Sequence, residues 1–226
     1  MKHIQKGFTL VEIAIVLVII GLLLGGILKG QEMIVQAKIK NAMADFSGIS
    51  AAYHGYQDRY RAIPGDDSGA AARWAANATT GATAAISGGG NGVVAGTYND
   101  TTAPASVDSS KESRLWWDHL RRAGFVAGSG TAQPTNAFTG MIGVQTGDGG
   151  ATPAAILGGF AALIVCSANI PDKVAIAIDT SMDDGVLLNG TVRSMLQTTP
   201  NQTLAGNVSA SYAETGTNIY LVCRQI

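Results

Sequence analysis

A chain of 226 residues accommodates one large domain or two small ones. It is 46% hydrophobic but only 14% charged, with 29 glycines and a formal net charge of −1, so no global field draws it to nucleic acid or to an anionic membrane. Abundant small residues and scarce charge suit an extracellular or surface domain better than a cytosolic enzyme.

The chain begins MKHIQKGFTLVEIAIVLVIIGLLLGGIL. The run from Phe8 to Leu28 is apolar apart from Thr9 and Glu12, and its roughly 21 residues make about 31 Å of helix, enough to cross a hydrocarbon core. Lys2, His3 and Lys6 precede it, so the positive-inside bias predicts a cytoplasmic N-terminus with the rest of the chain outside. A secretory signal peptide would carry a shorter apolar region and a small-residue cleavage site after it. This chain continues instead without proline up to Pro64. Over that continuation Ile27, Ile34, Ala37, Ala44, Ile49, Ala52, Tyr53, Tyr56 and Tyr60 recur at steps of three and four, with Lys38, Lys40, Asp45, Asp58 and Arg59 between them. The spacing predicts one helix from about Phe8 to about Tyr60, ended by Pro64 and Gly65. Its first half is apolar all round and needs lipid or other helices. Its second half needs a globular head.

Glu12 is the anomaly. A carboxylate within a membrane-length helix costs a few kcal/mol on insertion scales, and Lys29 is too far along the axis to reach it. Either Glu12 stays hydrated at the interface or a cation of another chain meets it; the reading adopted is that it lacks a partner in its own chain. Gly21, Gly25, Gly26 and Gly30 form small-xxx-small spacings that let helices approach closely in lipid, though glycine is also ordinarily tolerated in membrane helices.

Beyond Pro64 the composition shifts to Gly, Ala, Ser and Thr, which predicts a mostly irregular insertion over about 77–110, with a short helix at Ala70–Ala76. ESRLWWDHLRRAGFV places Leu115, Trp116, Leu120 and Ala123 at helical spacing before Gly124. Its tryptophans read as core anchors against the long helix, with a ligand platform as the alternative. GFAALIVCSANI, KVAIAIDT and NIYLVCRQI read as strands of an antiparallel sheet, and SMDDG as a hairpin-like turn. Cys166 and Cys223 lie in two of these runs. Two cysteines beyond a membrane-targeting segment fit one disulfide in an oxidising compartment, the alternative being two buried thiols.

Residues for chemistry are scarce. His3, His54 and His119 lack Cys or carboxylate partners at metal-ligand spacing, and no nucleophile elbow, phosphate loop or zinc motif is present. Asp66 and Asp67, or Asp179, Asp183 and Asp184, would offer oxygen ligands to Ca2+, but turn aspartates bonded to backbone are the plainer reading. No cofactor, no resident metal and no catalytic residue is therefore expected. Arg114, Arg121 and Arg122 form a small basic spot that reads as a solvated helix face rather than a DNA groove.

KGFTLVEIAIVLVIIGLL closely resembles the processing signal of type IV prepilins and type II secretion pseudopilins. The resemblance implies cleavage by a prepilin peptidase after Gly7, N-methylation of the new terminal Phe8, and an assembly role for Glu12 at the family's glutamate position. The freed α-amino group of Phe8 would be a cation about one helical turn from the height of Glu12. More loosely, KESRLWWDHLRRAGFV is similar to a helix in some pilin-like heads, AIAIDTSMDDGVLLNGTVR to the strand–turn–strand after it, and YLVCRQI to a disulfide-closed C-terminus. Lys29 stands where many members carry proline, which leaves the glycine cluster as the source of helix softness.

The expected fold is therefore α+β and pilin-like, a long N-terminal helix packed on an antiparallel sheet. Its parts are a leader at 1–7, a membrane or filament-core half-helix at 8–30, an amphipathic half at 31–62, and a head at 63–226. The implied function is that of a structural, non-enzymatic subunit of a pilus or secretion filament. Its expected partners are copies of itself and related pilins, a prepilin peptidase/N-methyltransferase, an inner-membrane assembly platform with its ATPase, and lipid before assembly, with no nucleic acid. Its expected location is the bacterial inner membrane in a single pass, head in the periplasm, and afterwards the filament. A minor tip or binding subunit for adhesion or DNA uptake is the alternative.

Overall fold

The computed structural model describes residues 9–79, 83–101, 109–147, 157, 159–204 and 211–226. The first element, α1, is one α-helix from Leu10 to Tyr60; the expected start at Phe8 lies outside the described residues. It closes where Arg61 turns into the left-handed region at φ 53°, its N–H donating to the Gln57 carbonyl at 2.8 Å. Pro64 then bars any continuation. The chain divides into two compact units between Lys40 and Asn41, and each is considered by itself.

In the unit up to Lys40, the described residues are the first part of α1. In the unit from Asn41 onward, the rest of α1 buries Ala42, Phe46, Ile49, Ala52, Tyr53 and Tyr56, three or four apart, the period of one helical face. The expected stripe holds from Ile49 to Tyr56. Ala44 is exposed, and the face runs through Ala42 and Phe46 in its place.

After α1 come a short helix α2 (Ala70–Arg73) and, past a 3-10 turn at 109–111, α3 (Glu112–Arg122). Trp116 and Trp117 in α3 are fully buried, edge to face with ring centres 4.8 Å apart, which makes them core anchors. The helix stops at Gly124, whose φ of 80° suits a residue without a side chain.

Four strands, β1 (Ile142–Thr146), β2 (Leu163–Pro171), β3 (Val192–Gln197) and β4 (Ile219–Gln225), form one antiparallel sheet in the order β1-β2-β4-β3. Opposed residues share a face, so one row runs Ile142, Ser167, Val222, Ser194 and the next runs Gly143, Cys166, Cys223, Arg193. The first face meets helices: α3 packs on β1, while a helix between β2 and β3 packs on β2, β3 and β4. On the second face the buried side chains of Cys166, Cys223, Met195 and Leu221 cluster with Tyr98, Leu157 and Phe160 from irregular chain. Gly143 is required there, because a Cβ would collide with the Tyr98 carbonyl. Cys166 and Cys223 are directly opposed and joined as a disulfide. The fold is thus α+β, with a long N-terminal apolar helix and a four-stranded antiparallel sheet.

One element corrects the sequence reading. KVAIAIDT is not a strand; it lies in a helix, α4 (Asp172–Met182), and the turn after it leads from a helix into β3. Val174, Ile176 and Ile178 alternate like a strand, but the buried residues Val174, Ala175, Ile178 and Asp179 follow helical spacing. Asp172 secures the start of α4. Its carboxylate accepts N–H bonds from Lys173, Thr215 and Gly216, each at 2.7 Å, and a carboxylate is favoured at a helix N-terminus.

Candidate processing and assembly site

The first half of α1 is built for contact with something outside the chain. It is long and apolar enough to cross a membrane, and none of that window is buried. Leu10 is 89% exposed and Leu22 73%. Such a surface is stable only in lipid or against other apolar helices. A Cβ placed on Gly21, Gly25, Gly26 or Gly30 would meet nothing within 4 Å, so packing among the described residues gives no reason for glycine there. Lys29 and Glu32, just past the apolar run, form an exposed ion pair at 2.7 Å.

Glu12 does have partners in its own chain, which corrects the expectation that it has none. Its Oε2 accepts the Thr9 N–H and the Thr9 hydroxyl, each at 2.8 Å, and the Glu12 N–H donates to Thr9 Oγ1 at 3.3 Å. This reciprocal pairing is a capping box, which satisfies donors left open at a helix start. The signal was present in the sequence as T-x-x-E, Thr9 to Glu12, but it sits within the apolar run. The bonds use one oxygen. Among the described residues nothing bonds Oε1, which stays available to a donor from elsewhere. Gly7 and Phe8, the expected processing residues, lie outside the described residues.

The polar residues of the head are occupied in holding the chain together. Segment 83–101 has no regular ladder, so its backbone groups need side-chain partners. Glu112 Oε1 accepts the Gly89 N–H at 2.7 Å and Oε2 the Ala95 N–H at 2.9 Å. Asp66 takes the Asn91 and Gly92 N–H groups at 3.0 and 2.6 Å. Buried His119 accepts the Gly65 N–H on Nδ1 at 2.9 Å and donates from Nε2 to the Ile86 carbonyl at 2.8 Å, which identifies the neutral tautomer with its proton on Nε2. Burial pushes this imidazole below its usual value, outweighing the Ile86 carbonyl and the nearby Asp67 and Asp118 charges. Burial likewise raises the Glu112 carboxyl against its two backbone donors.

Asp67 ties the end of α1 to α2. It accepts the Tyr56 hydroxyl and the Arg73 guanidinium, each at 2.5 Å, and the Gly69 N–H at 2.8 Å. Burial alone would raise its carboxyl, but these donors and the Arg73 charge hold it below the usual range. The basic spot is similarly engaged: Arg122 bonds Asp118 at 2.6 Å and the Thr83 carbonyl at 2.9 Å, Arg121 reaches the Gly130 carbonyl at 2.7 Å, and Arg114 the Asp100 carbonyl at 3.0 Å. These arginines clamp irregular chain onto α3 instead of forming a solvated face.

Asp179, Asp183 and Asp184 bring carboxylate oxygens within 4.8 Å of one another, yet each accepts bonds from the protein. Asp179 lies 2.6 Å from the Tyr212 hydroxyl, Asp183 accepts the Thr191 and Val192 N–H groups, and Asp184 accepts the Val186 N–H at 2.9 Å. They organise the turn between α4 and β3.

Residues 2–28 match the family model described as the prokaryotic N-terminal methylation motif, the prepilin-type cleavage and methylation signal of type IV pilins and pseudopilins. No curated protein and no solved structure matches the chain. The match covers the apolar segment with its exposed surface and leaves the head outside it.

Proposed function

We propose that this chain is a structural subunit, pilin or pseudopilin, of a type IV pilus or type II secretion-like filament. Prepilin peptidase cuts after Gly7 in the cytoplasm, and Phe8 becomes the methylated N-terminus. The precursor waits in the inner membrane with its head in the periplasm, then enters a helical filament cored by the N-terminal helices. One head-to-tail interface repeats there without closing, and an assembly platform with its ATPase supplies the force. The observation that carries the reading is the methylation motif on a helix whose apolar surface is left uncovered by the described residues.

Glu12 serves two stages in this scheme. In the membrane its Oε2 is satisfied by Thr9, which lowers the cost of a carboxylate in lipid. In the filament its remaining oxygen meets the α-amino group of a neighbour's Phe8. Glu12→Leu is expected to preserve membrane insertion but to impair incorporation beside a normal subunit, read as the fraction of tagged variant in sheared filaments. Incorporation at the wild-type level contradicts the assigned role.

The second reading, a minor tip or binding subunit, draws on the surface of segment 83–101. Val93 is 45% exposed on a loop that Asp66 and Glu112 hold in shape, and a preorganised loop suits a contact role. Copy number separates the two: a body subunit dominates sheared filaments, whereas a tip subunit is present in trace.

A further inference from the structure

We propose that a second copy of this chain lays its α1 against the groove beside Asp45, staggered by four to five residues, so that its Lys40 pairs with Asp45 of the first copy. The inference deepens the filament reading and rests on it.

The groove lies in the unit from Asn41 onward. It holds about 290 Å3 and is lined by Ala44, Asp45, Gly48 and Ile49 of α1 together with Phe125 and Val126. Its walls are mostly apolar, and its one charged group is Asp45, a half-buried carboxylate without a hydrogen-bond or ion-pair partner among the described residues. Burial with no compensating donor raises this carboxyl. A partly desolvated, unpaired carboxylate in an apolar groove calls for a cation arriving with the occupant. Gly48 leaves room for one, since a Cβ there would meet nothing within 4 Å.

The same chain carries a matching cation. Lys40 is exposed and has no partner among the described residues, whereas Lys29 is held by Glu32 and Lys38 is already engaged. With a shift of four, the second copy's exposed Ala44 stands level with Gly48 of the groove and supplies apolar surface there. The groove and this stretch are complementary in both charge and hydrophobicity.

The stagger follows from three independent spacings. Parallel copies shifted by four residues are displaced by about 6 Å, and by five residues about 7.5 Å. A shift of four brings Gly21 of one copy level with Gly25 of the other, and Gly26 level with Gly30, at positions where nothing among the described residues occupies the missing side chains. The same four residues separate position 8 from Glu12 in sequence, the two that the filament reading brings together. Lys40 and Asp45 are five apart, and the remaining ~1.5 Å is well within the reach of a lysine side chain. Terminal pairing, glycine approach and the Lys40–Asp45 pair therefore call for one register.

The test uses full-length chains in cells that assemble the filament. Two differently tagged chains, one Lys40→Cys and one Asp45→Cys, are co-expressed and mildly oxidised. The expected product is a cross-linked species carrying both tags in the filament fraction, with no such species when both chains carry Lys40→Cys. Lys40→Glu and Asp45→Lys should each lower filament yield several-fold, and the double exchange should restore it; retention of the Cys166–Cys223 bond shows that the variant heads have folded. Filaments that form normally without the mixed cross-link, and that ignore both charge reversals, overturn the proposed pairing and leave the filament reading standing. A wild-type chain that enters no filament overturns both.

Discussion

Glu12 and Glu112 both stand at the start of a helix, and they are used in opposite ways. Glu112 is 1% exposed, and both of its oxygens accept N–H groups from a segment some 20 residues away. Glu12 is exposed, and one oxygen accepts from the adjacent Thr9 while the other bonds nothing among the described residues. The contrast extends to the units they occupy. From Asn41 onward, buried charges and aromatic rings bind the chain to itself; up to Lys40, apolar surface, glycines and a carboxylate oxygen are all left unused. The first pattern is that of a self-sufficient domain, and the second that of a surface completed by another molecule.

The largest expected effect tests the self-sufficient side. Replacing Cys166 and Cys223 with serine releases a bridge that spans 57 residues, and the chain-entropy relation puts the loss near 4 kcal/mol. Denaturant unfolding of the full chain in detergent should show this loss in the head, while membrane insertion of α1 stays unchanged. Equal loss of insertion would break the comparison.

A smaller effect sharpens it through pH. His119 is held neutral when folded and lies below its usual value because it is buried. Below about pH 6.5 the unfolded chain takes up a proton that the folded chain refuses. The stabilisation is complete above that value and is lost as pH falls through it, by up to about 1.4 kcal/mol per pH unit. Asp67, held low by Tyr56 and Arg73 against its burial, acts in the same sense below about pH 4. Glu112 and Asp179 are raised by burial and oppose it, so the useful quantity is a difference. Between pH 7 and 5.5 the wild-type head should lose stability relative to His119→Asn; identical pH profiles would place the imidazole in water.

Much of this was legible in the sequence, for identifiable reasons. α1 declared itself by length and by a period that changes from apolar all round to one face. α3, β2 and β4 each carried a dense apolar run with a clear stop. α4 was misread because Val174, Ile176 and Ile178 satisfy a strand period within a stretch that buries a helical face. β1 went unseen because its five residues include Gly143 and Gln145, neither of which signals a strand. Gln145 is buried only because it accepts the Tyr98 N–H and donates to the Gly147 carbonyl, partners that no local pattern reveals. At the site, the anomaly of Glu12 was visible and its cap was not, since Thr9 and Glu12 sit inside an apolar run whose length reads as a membrane span and hides the helix start. The arginines of α3 read as solvated for a related reason: their acceptors are carbonyls of distant irregular chain.

The central claim is that the segment up to Lys40 is trimmed and then completed by other copies. Intact-mass measurement of the chain recovered from the membrane and filament fractions tests it most directly. The expected mass is that of residues 8–226 with one added methyl group, and the same measurement on a Gly7→Arg variant should return the full precursor. A wild-type chain that retains residues 1–7 would contradict the account.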